Sequence, residues 1–297
     1  MDGLTPGRAS GWRNNRARKS AAAPARTRGE GRLEAAALGR TVQQDVIPRL
    51  LHAHRPARGE SAPIDGVEVA QFAQRACGSG PNAALDAVAR RRDDGASIES
   101  ILLDLLVPAA RHLAARWMDD GCRYEELAIG ILHLQQVLHG LSADFVREGR
   151  GAPSGRRALL LSAPAEQGML GLYMISEFQR CVAAEFFQRA GWDVWRAPPA
   201  SRSQLESLLR TQWFDVIDVT VTCAERLCLL ATDLAEMRRI SRNPRVGLVV
   251  GVFAPGGAPA ERRVDGADAA ASDPRDMLSQ AEALVAQRER MRTRPIR

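Results

Sequence analysis

At 297 residues with 45% apolar side chains, the chain is long enough to bury the cores of two domains of ordinary size. No stretch approaches the roughly 18 consecutive apolar residues of a membrane span, and the five cysteines, Cys77, Cys122, Cys181, Cys223 and Cys228, are odd in number and lack paired metal spacing. These features argue against a membrane protein, a disulfide scaffold or a zinc module, and they predict a reducing, cytoplasmic setting. The net charge of +6 is local: residues 1 to 32 hold eight basic side chains against two acidic ones, and the remainder is nearly neutral.

In residues 1–40, rich in Ala, Gly, Ser and Pro, apolar side chains are too sparse to offset the entropy of ordering the backbone, which predicts a disordered basic arm. Three readings of the arm stay open: contacts to DNA phosphates or an acidic partner, a solvated tail, or an Arg-containing transit peptide. From 41 to 148 every periodic segment is helical. Short segments near 41–54, 66–77 and 82–93 precede Ile98 to Met118, where Ile101, Leu102, Leu105, Leu106, Ala109, Leu113 and Trp117 recur at helical steps. Pro108 is expected to bend that helix, since it lacks a backbone donor and crowds the preceding turn. Tyr124 to Arg147 carries Leu127, Ile131, Leu134, Leu138 and Leu141 on one side, which completes a bundle of four or five helices.

Residues 149–157 are Gly-rich and without periodicity, the signature of a linker. Beyond them, across 158–297, strands and helices alternate. Strands are expected at 158–163, 192–197, 214–222, 246–253 and 267–271, and helices at 172–190, 201–211, 224–241 and 274–290. Such alternation builds an α/β domain with a five-stranded parallel sheet covered by helices, in the flavodoxin-like (Rossmann-like) order.

Ligands of such sheets sit beyond the carboxyl ends of the strands. That singles out Pro164 to Gly171, with the hexapeptide Glu166-Gln167-Gly168-Met169-Leu170-Gly171, then Thr220 to Ala224 and Gly251 to Gly257. Glycines there let backbone approach a bulky ligand, and Thr220 and Thr222 offer hydroxyls, although turn chemistry also explains each residue. Cys223 and Cys228 lie across a strand-to-helix junction, compatible with a thiol switch or with spectator thiols. No nucleophile–base pair, phosphate-binding Gly-Lys-Ser/Thr loop or metal cluster is visible, so an enzyme is not expected.

The three loops, in this order after a helical bundle, resemble the cobalamin-binding domains of methionine synthase, methylmalonyl-CoA mutase and light-sensing regulators. The first loop of that family reads Asp/Glu-x-His-x-x-Gly; this chain matches at Glu166 and Gly171 and departs at Gly168. Thr220-Val221-Thr222 is similar to the family's Ser-x-Leu or Ser-x-Ser segment, and Val250-Gly251 to its Gly-Gly turn with one glycine kept. A closer resemblance, across residues 95 to 285, is to the AerR/PpaA photosynthesis-gene antirepressors. It is carried by Trp117-Met118-Asp119-Asp120, Ala128 to Leu138, the segment from Glu166 to Ile175 that includes Gly171 and Leu172, and Phe186 to Val194. Where the CarH photoreceptors place a Glu-His pair after the bundle tryptophan, this chain has Leu127 and Ala128.

The resemblance implies a cytoplasmic regulator that binds cobalamin, responds to light or redox state, and engages a CrtJ/PpsR-type repressor. It implies a site made of Trp117, Glu166, Gly168, Met169, Gly171, Leu172, Thr220, Thr222 and Gly251. A family histidine at 168 would ligate cobalt with Glu166 orienting its ring; glycine offers no donor, so the cofactor's own base, water or another residue is expected there. Met169 as a soft ligand, or a bundle histidine such as His112 or His133, are the alternatives. Rival readings are a cofactor-free interaction module, a haem-binding domain using Cys223, Met169 or a bundle histidine, direct DNA binding through the arm, and a corrinoid protein serving a separate methyltransferase.

Overall fold

A computed structural model describes residues 63–78, 81–149, 153–163, 170–196, 201–222, 227–253 and 264–293. The chain divides into two units, 1–57 and 58–297, and all described residues belong to the second. The expected helix at 41–54 and the basic arm lie outside them.

The helical part follows the periodic apolar residues. Helix α1 (Gly66–Gly78) opens on an Asp65 carboxylate that accepts from Glu68 N–H at 2.8 Å, and it buries Val69, Phe72, Ala73 and Ala76 at the three- and four-residue steps of one helix face. Helix α2 (Pro81–Asp93) starts on proline, whose missing N–H costs nothing at a first helical position, and Arg91 forks onto Glu68 of α1. Helix α3 runs as one rod through Ile98–Ser100, Ile101–Leu106 and Val107–Met118, capped by the Ser97 hydroxyl. Upstream of Pro108, where a bend is expected from sequence, the helix has a π-turn over Ile101–Leu106, with Val107 N–H reaching back five residues to the Leu102 carbonyl. Widening the helix by one residue per turn makes room for the proline ring, so the strain is taken upstream of it. Helix α4 (Tyr124–Gly149) buries Leu127, Ile131, Leu134, Val137, Leu138, Leu141 and Phe145.

The sheet comprises β1 (Arg157–Ser162), β2 (Asp193–Arg196), β3 (Val216–Val221), β4 (Gly247–Val252) and β5 (Ala269–Ala271), all parallel in the order β2-β1-β3-β4-β5. This is the flavodoxin-like order read from the alternation. Helices α5 (Leu170–Arg189), α6 (Arg202–Thr211) and α7 (Leu227–Ile240) connect successive strands from β1 to β4, and α8 (Pro274–Thr293) follows β5. The Ser201 hydroxyl caps α6, accepting from Gln204 N–H.

Both central strands are buried end to end, as a parallel sheet covered on both sides requires. One face, with Leu159, Leu161, Ile217, Val219, Val221, Leu248 and Val250, packs on Leu209, Leu230, Leu234, Met237 and Ile240 of α6 and α7. The opposite face, with Ala158, Leu160, Val216 and Val249, packs on Ala183, Ala184 and Phe187 of α5 and on Met277, Ala281 and Val285 of α8.

Helix α5 is buried on two sides. Its Ile175, Phe178, Val182 and Phe186 join the core of the helical bundle, with Phe186 edge-on to Phe145 at 5.0 Å. The same helix therefore belongs to the sheet and to the bundle. Glu99 of α3 reinforces the junction by pairing with Arg189 of α5 at 2.7 Å and with Arg275 of α8 at 2.5 Å. Of the expected linker, residues 153–156 are tied down, since Ser154 donates from both backbone N–H and hydroxyl to the Gly191 carbonyl at 2.9 and 3.0 Å.

Candidate functional site

At the carboxyl edge of the sheet, β1, β3 and β4 continue into Ala163, Thr222 and Phe253, held in register by Ala163 N–H to the Thr220 carbonyl (2.9 Å) and Phe253 N–H to the Val221 carbonyl (2.8 Å). The connections that follow, 164–169, 223–226 and 254–263, lie outside the described residues. Glu166, Gly168, Met169 and Cys223 are among them.

Four of the expected site residues meet at the start of α5. The Trp117 indole of α3 rests on Gly171, where an added Cβ would lie 2.6 to 2.9 Å from three ring carbons. Only glycine lets the bundle tryptophan come so close. One residue on, the Leu172 carbonyl accepts from the Thr222 hydroxyl at 3.5 Å, which joins the α5 start to the end of β3. The other two described candidates sit deeper, side by side in the sheet, as Thr220 pairs with Gly251. The room above Gly251 is taken by Met277 of α8 and by Phe253, since a Cβ added there would lie 2.9 Å from each of these side chains. Gly251 thus accounts for close helix packing as well as for any ligand approach.

Directly beneath this edge the face toward α5 is polar. Asp218 and Thr220 lie two residues apart on β3, and Ser162 of β1 pairs with Thr220. Gln179 and Arg180 of α5, one turn before the sheet-facing Ala183 and Ala184, complete the layer. All of these side chains are buried, yet Ser162 Oγ, Thr220 Oγ1, both Asp218 oxygens, both polar atoms of the Gln179 amide and Arg180 Nη1 have no hydrogen-bond partner. A buried polar atom left unpaired costs roughly 1–3 kcal/mol. A native interior rarely gathers several in one place unless water or a ligand completes them.

Burial pushes the Asp218 carboxyl well above its ordinary range; the nearby Thr220 hydroxyl and Arg180 guanidinium, neither in a well-formed bond with it, oppose that only in part. Arg180 itself forks onto Glu177. The layer therefore offers a carboxyl whose charged form is disfavoured by burial, two hydroxyls and an amide, a set of hydrogen-bonding groups.

Toward β5, Arg111 of α3 donates to the Ser272 carbonyl at 2.6 Å and stacks over Phe253 at 5.5 Å, and its buried Nε is unpartnered. Of the histidines proposed to face a cofactor, His133 is engaged through Nδ1 with the Ala76 carbonyl of α1 at 2.6 Å, inside the bundle. His112 stays on α3 five residues before Trp117, its pKa lowered by burial and by Arg116. Among the described residues no three His, Cys, Asp or Glu side chains gather as a metal site, and no helix is long and apolar enough to cross a membrane.

Ser162, Gln179, Arg180 and Arg111 were not among the residues expected from sequence. The available signal was Ser162, Asp218 and Thr220 as polar residues within otherwise apolar strands; their convergence depends on β1–β3 register and on which side of α5 meets the sheet.

No known protein-family model matches the sequence. The sequence is 25% identical over 154 residues to an uncharacterized 20.5 kDa protein in the bchF-crtJ intergenic region of Rhodobacter capsulatus, covering 52% of this chain and 76% of that protein. The fold overlays on the monomethylamine corrinoid protein of Methanosarcina barkeri with a TM-score of 0.56 at 8% identity, covering 75% of this chain and 100% of the other. A cobalamin-binding protein from Desulfitobacterium hafniense, 10% identical over 73% of this chain and 98% of its own, overlays at a TM-score of 0.34. The helical layer followed by a five-stranded parallel sheet with flanking helices is thus a fold shared with the Methanosarcina protein.

Proposed function

We propose that the chain is a cobalamin-binding transcriptional regulator of the AerR/PpaA type, one that engages a repressor of photosynthesis genes and catalyses nothing itself. The observation that carries the ligand half is the layer of unpaired buried polar atoms beneath the carboxyl edge of the sheet. Those residues fit the group: Ser162, Thr220, Gln179 and Asp218 supply hydrogen-bonding positions for the polar part of a large ligand, and Trp117 supplies an aromatic surface beside it. The corrinoid fold and the relative in the bchF-crtJ region support the reading.

When bound, cobalamin would supply light- or redox-responsive cobalt chemistry. With glycine at 168, this chain would offer the metal no donor from that position; the cofactor's own base, water or another residue would serve instead. Trp117 provides the mechanical link. Any displacement at the start of α5 presses through Gly171 on the indole and from there on α3, while α5 itself packs on the bundle. The bundle surface is then the part that presents a changed shape to the repressor.

Incubating the purified chain with hydroxocobalamin and removing free ligand should leave corrinoid absorption bands on the protein. A colourless protein after saturating ligand would overturn the cofactor half. Gly168→His should then shift the spectrum to the base-off form. A second reading, a cofactor-free interaction module, is favoured by Met277 and Phe253 filling the room above Gly251; it expects repressor binding by a protein that takes up no corrinoid.

A further inference from the structure

The opposite end of the sheet carries a cavity of about 490 Å³, within the range of small-molecule sites. It is lined by Trp213 and Asp215 before β3, Asn243, Pro244 and Arg245 before β4, and Val285, Arg288 and Glu289 of α8. None of these belongs to the carboxyl edge.

Its lining carries two guanidinium groups, Arg245 and Arg288, and two carboxylates, Asp215 and Glu289, but the two signs are unequally engaged. Arg238 and Arg288 share the one carboxylate of Asp268, at 3.1 and 2.8 Å, and Arg288 Nη1 is left buried without a partner. Arg245, exposed on its turn, makes no ion pair among the described residues; its backbone N–H is held by Asn243 Oδ1 at 3.0 Å. The acids are better satisfied. Asp215 accepts from Trp213 Nε1 at 3.1 Å and from Arg157 N–H at 2.8 Å, and Glu289 lies 3.5 Å from Arg156. Trp213 is 44% exposed although its indole N–H is tied to Asp215, which fixes the ring and leaves surface to stack on.

We propose that this cavity is a second binding site, for a mononucleotide, with the base on Trp213 and the phosphate drawn to Arg245 and Arg288. A flat aromatic wall beside incompletely paired guanidinium groups suits a planar ring joined to an anion. The carboxylates at the rim discriminate further, because they accept from ribose hydroxyls or an exocyclic amine and repel a bare anion. The site is independent of any ligand at the carboxyl edge.

Calorimetry on the full chain with AMP, GMP, adenosine and inorganic phosphate tests the proposal. Saturable binding of a mononucleotide is expected, with adenosine and phosphate each weaker by roughly tenfold or more. Arg245→Glu, on an exposed turn, should weaken the nucleotide by about tenfold, and Trp213→Ala by several-fold, while corrinoid uptake is unchanged in both. No saturable binding of AMP or GMP, binding untouched by both substitutions, or phosphate binding as tightly as the nucleotides would each overturn it.

Discussion

The two faces of the one sheet are built from the same strands, yet they obey different rules. Toward α6 and α7 every inward side chain of β1, β3 and β4 is apolar, and the face closes on itself. Toward α5 and α8 the lower half is equally apolar, but at Asp218, Thr220 and Ser162 the packing gives way to unpaired polar atoms. The first face is a core that stability alone explains. The second is incomplete by itself, and the incompleteness lies at the end of the sheet where α/β folds hold ligands.

The largest test of that contrast is a truncation on the closed face. Leu234 is fully buried against β3 and β4, so Leu234→Ala should cost about 2–5 kcal/mol in urea unfolding. Next comes Gly171→Ala, where the new methyl meets the Trp117 ring, for about 1–3 kcal/mol. In a double-mutant cycle Trp117→Ala should relieve most of that penalty; two independent, additive losses would show that the indole does not rest there.

Asp218 gives a test whose sign is opposite. Burial lifts its pKa in the folded chain, so between the unfolded value, about 3.9, and the higher folded one the native state holds the extra proton. Stability therefore falls as pH rises through that window. Asp218→Asn should match the parent below about pH 4 and exceed it at pH 7 by on the order of 1 kcal/mol or more. A variant less stable than the parent at pH 7 would mean that the carboxylate is paired. The smallest effect is expected from Thr220→Val, which removes an unpaired hydroxyl and leaves the ligand-free protein unchanged or more stable by up to about 1 kcal/mol.

How much of this was legible in the sequence follows from the range of the interactions. Local periodicity located the described helices and strands to within a few residues, because the apolar stripes of α1 to α4 and the short apolar runs of β1, β3 and β4 are local signals. Pro108 was legible as a disturbance, but the π-turn that absorbs it depends on how Ile101–Leu106 packs. At the site, Trp117, Gly171, Leu172 and Thr222 do come together. The polar layer was harder to see. Ser and Thr near strand ends look like turn chemistry, and Gln179 and Arg180 look like the solvent side of a helix until α5 is found buried on both sides. Glu166, Gly168 and Met169 remain sequence-based expectations, since they lie outside the described residues.

The central claim is that the polar layer is completed by a bound corrinoid. Equilibrium dialysis against hydroxocobalamin, comparing the parent with a folded Ser162→Ala/Thr220→Val double variant, tests it most directly. The account predicts a stoichiometric corrinoid spectrum on the parent and affinity reduced by roughly tenfold or more in the variant, whose melting temperature is not lowered. A colourless parent, or equal retention by both proteins, would contradict it.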